Sequence, residues 1–174
     1  MAVTWYISLA ELADRPGAIE LSQVTQLPGK PSARPELLDA VLRGEETTSW
    51  PPAEVAVALE VVERIGSAVE EAQNLIDGYL RQRGYTLPLV KVHSILSSWA
   101  RSVVRYKLHQ HRISDERTDP IVRDYRDAMK LMEQLANGKF SLGATDTQKP
   151  AGGPPMVDGP GRTFSMDSLR DFGK

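Results

Sequence analysis

From Ala53 onward, Val55, Leu59, Val62, Ile65, Val69, Ala72, Ile76, Tyr79 and Leu80 recur at steps of three and four over roughly 30 residues. A pattern of that length specifies one amphipathic helix, about 45 Å long at 1.5 Å per residue. Gly66 and Gly78 each weaken such a helix by about 1 kcal/mol relative to Ala, which leaves room for a kink or break near Gly66. Gly84 stands where a C-terminal cap belongs, with Arg81 and Arg83 in the last turn favouring the carbonyl end of the dipole. A chain that places its strongest pattern in one long helix must find apolar partners for that stripe elsewhere.

Two further stripes supply them. After an extended link at Tyr85 to Pro88, Val92, Ile95, Leu96, Trp99, Val103 and Tyr106 mark a helix running to about His111. Ser114 to Asp119 reads as a polar turn, and Asp119-Pro120 opens a helix striped by Ile121, Tyr125, Ala128, Met129, Met132 and Leu135 and ended by Asn137-Gly138. The N-terminal region is more broken. Ser8 and Glu11 fit a capping box for a short helix around Leu9 to Asp14, Pro16-Gly17 turn the chain, and Ala18 to Val24 fits a second short helix. Beyond a loop at Leu27 to Pro31, Arg34 to Arg43 carries Leu37, Leu38, Val41 and Leu42 at helical spacing up to Gly44, and a loop then runs to Pro51-Pro52. No segment alternates well enough for a sheet. The expectation is therefore all-α: a small helical bundle with short N-terminal helices, three longer helices and an extended Gly/Pro-rich C-terminal tail. The bundle would occupy residues 1–140, with a Pro-rich segment at 27–52, and the tail residues 141–174.

At 174 residues, 140 remain once the tail is set aside, enough to bury a real core. Lys plus Arg number 21 and Asp plus Glu 23, so no global basic field recommends nucleic acid as the main partner. A gradient underlies that balance. Residues 1–90 hold 7 basic and 13 acidic side chains, residues 91–140 hold 10 and 6, and the tail holds 4 and 4. Opposite charges in the two halves can satisfy each other inside one fold or draw neighbouring subunits together. The absence of cysteine removes disulfides and Cys-based metal sites or nucleophiles. Neither a secretion signal nor an 18-residue apolar run is present, so the expectation is a soluble protein of the cytoplasm in which it is made, with no membrane partner.

Little suggests catalysis. His109 and His111 are two apart, on different faces of a helix, and His93 is remote in sequence, so no metal site is expected. Asp124 and Asp127 resemble a carboxylate pair, but Arg123, Arg126 and Lys130 beside them make an outer face of alternating charge the simpler reading. Leu27-Pro-Gly-Lys30 lacks the spacing of a phosphate loop, and no nucleophile has a plausible base. The expectation is a protein that is no enzyme and has no cofactor. Arg101, Arg105, Lys107 and Arg112 are dense enough to contact phosphate, yet acidic groups of the first half or of a neighbouring subunit are the blander partners. Trp99 and Tyr106 read as core rather than as stacking platforms.

The segment from Ser141 to Lys174 holds ten Gly or Pro, then an apolar cluster of Phe164, Met166, Leu169 and Phe172. Fully extended it would span on the order of 110 Å. Reach and anchoring to a partner are what such a segment offers; an ordinary terminus is the plainer alternative.

Three pieces carry a family resemblance: Thr4-Trp-Tyr-Ile-Ser-Leu9; Ile76-Asp-Gly-Tyr-Leu80 leading into Tyr85-Thr-Leu-Pro-Leu89; and Arg105-Tyr-Lys-Leu108 followed by the run from Val122 to Asn137-Gly-Lys-Phe-Ser-Leu-Gly143. Over two blocks, near 4–24 and 65–143, the chain resembles Mu-like phage and prophage proteins comparable with the head-to-tail adaptors of long-tailed phages. The resemblance implies an α-helical structural virion protein, made in the host cytoplasm, that forms a ring, expected to be a dodecamer, beneath the portal. Such a ring continues the DNA channel without specific DNA binding and meets a stopper, tail-completion protein or other connector. It further implies that the tail locks onto the portal through Phe164, Met166, Leu169 and Phe172, with Arg162 and Arg170 meeting acidic partners. Residues 27–52 depart from the family pattern. The acidic excess of the first half adds the expectation that Glu45, Glu46 and Glu54 face the channel. A small helical DNA-binding or packaging factor, using the Arg101 to Arg112 stretch, is the alternative function.

Overall fold

In the computed structural model, residues 5–26, 29–89, 91–139 and 141–143 are described. Every regular element among them is helical: α1 (Leu9–Leu12), α2 (Ala18–Val24), α3 (Pro35–Arg43), α4 (Pro52–Arg83), α5 (Ser94–His109) and α6 (Pro120–Ala136), with a wide turn at Ala13–Gly17 between the first two. The chain is all-α, as its periodicity requires.

Local chemistry accounts for the boundaries. Ser8 and Glu11 form the capping box: the Glu11 amide donates to Ser8 Oγ at 3.2 Å, and the Ser8 amide donates to Glu11 Oε2 at 2.8 Å. Between α1 and α2, Arg15 is extended (φ −155, ψ 116), and Gly17 takes φ 106, a region side-chain-bearing residues avoid. Gly44 and Gly84 close α3 and α4 in the left-handed conformation. At each, two amides reach back to the last turn, as when Tyr85 N donates to the Leu80 carbonyl at 3.0 Å. Asp119 caps α6 by accepting from the Ile121 amide at 2.7 Å, with Pro120 in the first turn. α5 stops at His109 rather than about His111, because the Arg112 amide bonds the His109 carbonyl at 2.7 Å and tightens the chain into the turn toward α6.

α4 runs unbroken through Gly66 and Gly78 for 32 residues, about 48 Å. A Cβ placed on Gly66 meets nothing within 4 Å. Gly66→Ala is therefore expected to raise the unfolding free energy by about 1 kcal/mol, by restricting the unfolded chain without a clash. A urea titration that showed destabilisation instead would mean the helix is not continuous there.

The core is a single apolar cluster. α4 buries Ala58, Val61, Ile65, Ala68, Val69, Ala72, Ile76 and Leu80; α5 buries Leu96, Trp99, Ala100, Val103 and Val104; α6 adds Ala128, Met132 and Leu135. These three helices pack on one another, α3 packs on α4 as well, and α1 and α2 pack on α3, adding Leu12, Leu21, Leu37 and Leu38 to the cluster. One part of the expected stripe is corrected. In the first half of α4 the buried positions are Ala58 and Val61; Leu59 is 53% exposed and Val62 only half-buried. The face that α4 turns toward the core in this stretch therefore carries Ala58 and Val61, and Leu59 points outward.

Polar ties hold the N-terminal region to α4. The Tyr6 amide donates to Gln73 Oε1 at 3.0 Å, and its hydroxyl donates to Asp77. Burial and the Asp77 carboxylate push the Tyr6 phenol well above its ordinary range, so it remains a donor at any physiological pH. Arg64 donates to the Thr25 carbonyl, and Lys30 pairs with Glu60.

Candidate functional site

The three carboxylates expected at a channel lie along the connection from α3 into α4. Glu45 and Glu46 are exposed on the link. Glu54, in the first turn of α4, is half-buried and 3.2 Å from Arg34 Nε, whose guanidinium in turn sits 6.0 Å above the Trp50 ring. Its charge is thus partnered within the fold. The anchor residues Arg162, Phe164, Met166, Leu169, Arg170 and Phe172 lie outside the described residues.

The basic stretch on α5 is largely engaged. Arg105 grips Glu20 of α2 with two bonds, Nε to Oε1 at 2.6 Å and a terminal nitrogen to Oε2 at 2.8 Å. His109 Nε2 lies 3.4 Å from the same carboxylate. Glu20 thereby raises the Arg105 pKa further and fixes its charge. Lys107 pairs with Glu71 of α4 at 2.7 Å. Basic groups of the second half thus meet acids of the first half inside one chain, the blander of the readings the sequence allowed.

Arg101 is different. It lines a cleft of about 510 Å³ formed by α5, α6 and the Arg15–Pro16 turn, with Glu20, Arg105, Trp99, Ile95 and Leu131 also in its lining. Its Nε is buried yet has no hydrogen-bond partner. Around the same opening, neither Arg15 nor Asp127 forms an ion pair among the described residues. Apolar lining beside unmatched charges of both signs suits a peptide carrying large apolar side chains and charges of both signs. No local pattern in the sequence marks this cleft, since Arg15, Glu20, Arg101 and Asp127 are scattered over more than a hundred positions. Asp124 and Asp127, read there as an outer charged face, prove to edge it.

Trp99 is 3% exposed and belongs to the core. Tyr106 stacks on Tyr125 of α6 with ring centroids 4.0 Å apart and planes 9° from parallel, so both rings are committed to the α5–α6 contact. His93 and His109 stand at opposite ends of α5, and among the described residues no three His, Asp or Glu side chains gather as metal ligands. No described helix is long and apolar enough to cross a membrane.

The family model for Bacteriophage Mu, Gp36 matches residues 6–158, taking in the whole helical body, the cleft and the first part of the following segment. The chain belongs to the bacteriophage Mu Gp36 family. It is also similar to the Mu-like prophage FluMu protein gp36 of Haemophilus influenzae (strain Rd), at 35% identity over 83 residues, 48% of this chain and 55% of that protein. The chain thus aligns with little more than half the length of that relative. Membership in this family makes it a Mu-like phage protein, as the motifs from Thr4 to Leu9 and from Val122 to Gly143 implied.

Proposed function

We propose that this Gp36-family chain is a structural virion protein, a head-to-tail adaptor. Its copies form a ring, expected to be twelve-fold, that docks beneath the portal, continues the DNA channel and joins the capsid to a stopper, tail-completion protein or other connector. Family membership supports a part in phage structure or assembly. The observation that carries the finer reading is the division of the chain. A helical body closes on one core by Gly143, and the sequence beyond it is rich in Gly and Pro and ends in Phe164, Met166, Leu169 and Phe172. A body built this way stacks against its copies, and an apolar-tipped extension gives sparse contacts formed only at the right place. In this reading the protein acts without catalysis or a cofactor, and DNA passes without being specifically bound. The engagement of Arg105 by Glu20 and of Lys107 by Glu71 supports this over the alternative of a DNA-binding or packaging factor.

Full-length protein and a version truncated after Gly143 are compared by cryo-electron microscopy on purified portal. Full-length chain is expected to form a ring on the portal, and the truncated version to lose it. If neither binds, the adaptor reading falls, and salt-dependent DNA binding becomes the next measurement.

A further inference from the structure

We propose that the cleft between α5, α6 and the Arg15–Pro16 turn is a docking site for the segment Phe164–Phe172 of the same chain. Four observations meet here. First, the cleft is lined in part by apolar Trp99, Ile95 and Leu131, and the segment brings Phe164, Met166, Leu169 and Phe172. Second, the unmatched charges of the cleft are two cations, Arg15 and Arg101, and one anion, Asp127, and the segment carries Asp167, Arg170 and Asp171.

Third, Arg101 holds a buried Nε with no acceptor in the described fold, a group that an incoming carboxylate satisfies. Fourth, the geometry of departure favours the same chain. Leu142 N donates to the Tyr85 hydroxyl at 3.4 Å, and a Cβ added to Gly143 would stand 4.0 Å from Cε1 of His93, the residue that precedes α5, whose Ile95 and Ser98 line the cleft. From Gly143 to Phe164 a random coil of that length spans about 25 Å, whereas Ile95 to Ser102 covers about 10 Å of helix. The segment thus lies within reach at an effective concentration on the order of millimolar, far above that of free chains in a dilute solution.

The contact would hold the apolar anchors covered until a partner competes for them, and it stands whether or not that partner is the portal. Because the chain has no cysteine, engineered pairs report it cleanly. Ser102→Cys, in the cleft wall, is combined with Ser168→Cys. The control combines Ser168→Cys with Ser67→Cys, an exposed site on α4 outside the cleft. Each protein, full length and at micromolar concentration, is oxidised with glutathione disulfide, and intrachain disulfide is followed by non-reducing electrophoresis and peptide mass. The cleft pair is expected to close at least tenfold faster than the control. Arg101→Gln, or Asp167→Asn with Asp171→Asn, is expected to bring its rate toward that of the control. The double Asn variant leaves the helical body untouched, so it reads the contact even if Arg101→Gln disturbs the fold. Equal rates for the two pairs would overturn the proposal, as would a rate unmoved by the Asn variants. Disulfide that appears only between chains and rises with concentration would also overturn it, giving the cleft to a second copy. No portal enters the assay, so its failure leaves the adaptor reading to be judged by the truncation alone.

Discussion

Trp99→Ala is expected to lower the unfolding free energy of the helical body by about 3–5 kcal/mol, the range for emptying a large aromatic site in a core. Trp99 is 3% exposed and shares one apolar cluster with residues of α4 and α6, so truncation leaves a void that neighbours from three helices would have to fill. Those neighbours are held by their own packing and collapse only in part. For a body of this size the loss corresponds to a drop in Tm of roughly 10–17 °C. Trp5→Ala is the matched control. Trp5 is 46% exposed, and its removal should change stability by less than about 1 kcal/mol. Urea midpoints for the two variants measure both. A loss below about 1.5 kcal/mol for Trp99→Ala would show the centre of the bundle to be loosely packed.

The second large effect concerns the tie between α2 and α5. Glu20→Ala is expected to cost about 1–2 kcal/mol, less than a fully buried ion pair because the Arg105 and Glu20 side chains retain 33% and 26% of their exposure. Two parallel bonds of good length make this pair stronger than an ordinary surface contact. A double-mutant cycle with Arg105→Ala isolates the interaction, with a coupling of about 1 kcal/mol expected. The Lys107–Glu71 pair, at 36% and 58% exposure with a single contact, should give about 0.5 kcal/mol or less. If the two cycles give equal values, the bidentate geometry contributes nothing, and the α2–α5 contact rests on apolar packing alone.

Most of the fold was legible because its boundaries are set by local chemistry. Ser8 with Glu11, Gly44, Gly84 and Asp119-Pro120 each act on the backbone within a few residues, and each ends or starts a helix where its chemistry requires. The first half of α4 was less legible. Hydropathy favours Leu59 over Ala58 as the buried residue, whereas the face that α4 turns inward carries Ala58 and Val61. The Tyr106–Tyr125 stack and the Glu20–Arg105 pair were out of view because they join distant positions. For the same reason the cleft was invisible: its walls come from three parts of the chain, and the unmatched state of Arg101 exists only after the others have folded. Glu45, Glu46 and Glu54 were grouped by charge alone. The fold separates their circumstances, leaving the first two in solvent and giving Glu54 to Arg34.

α4 packs against α3 as well as against α5 and α6. Along its length Tyr6, Thr25, Lys30 and Arg34 fasten to one helix that also receives Lys107. Neither α3 nor the α5–α6 pair keeps a complete interior once that helix frays, so the two sides have no independent route to melting. A pull on either end of the body meets the resistance of the whole, and the long helix acts as a tie-rod whose failure is all-or-none.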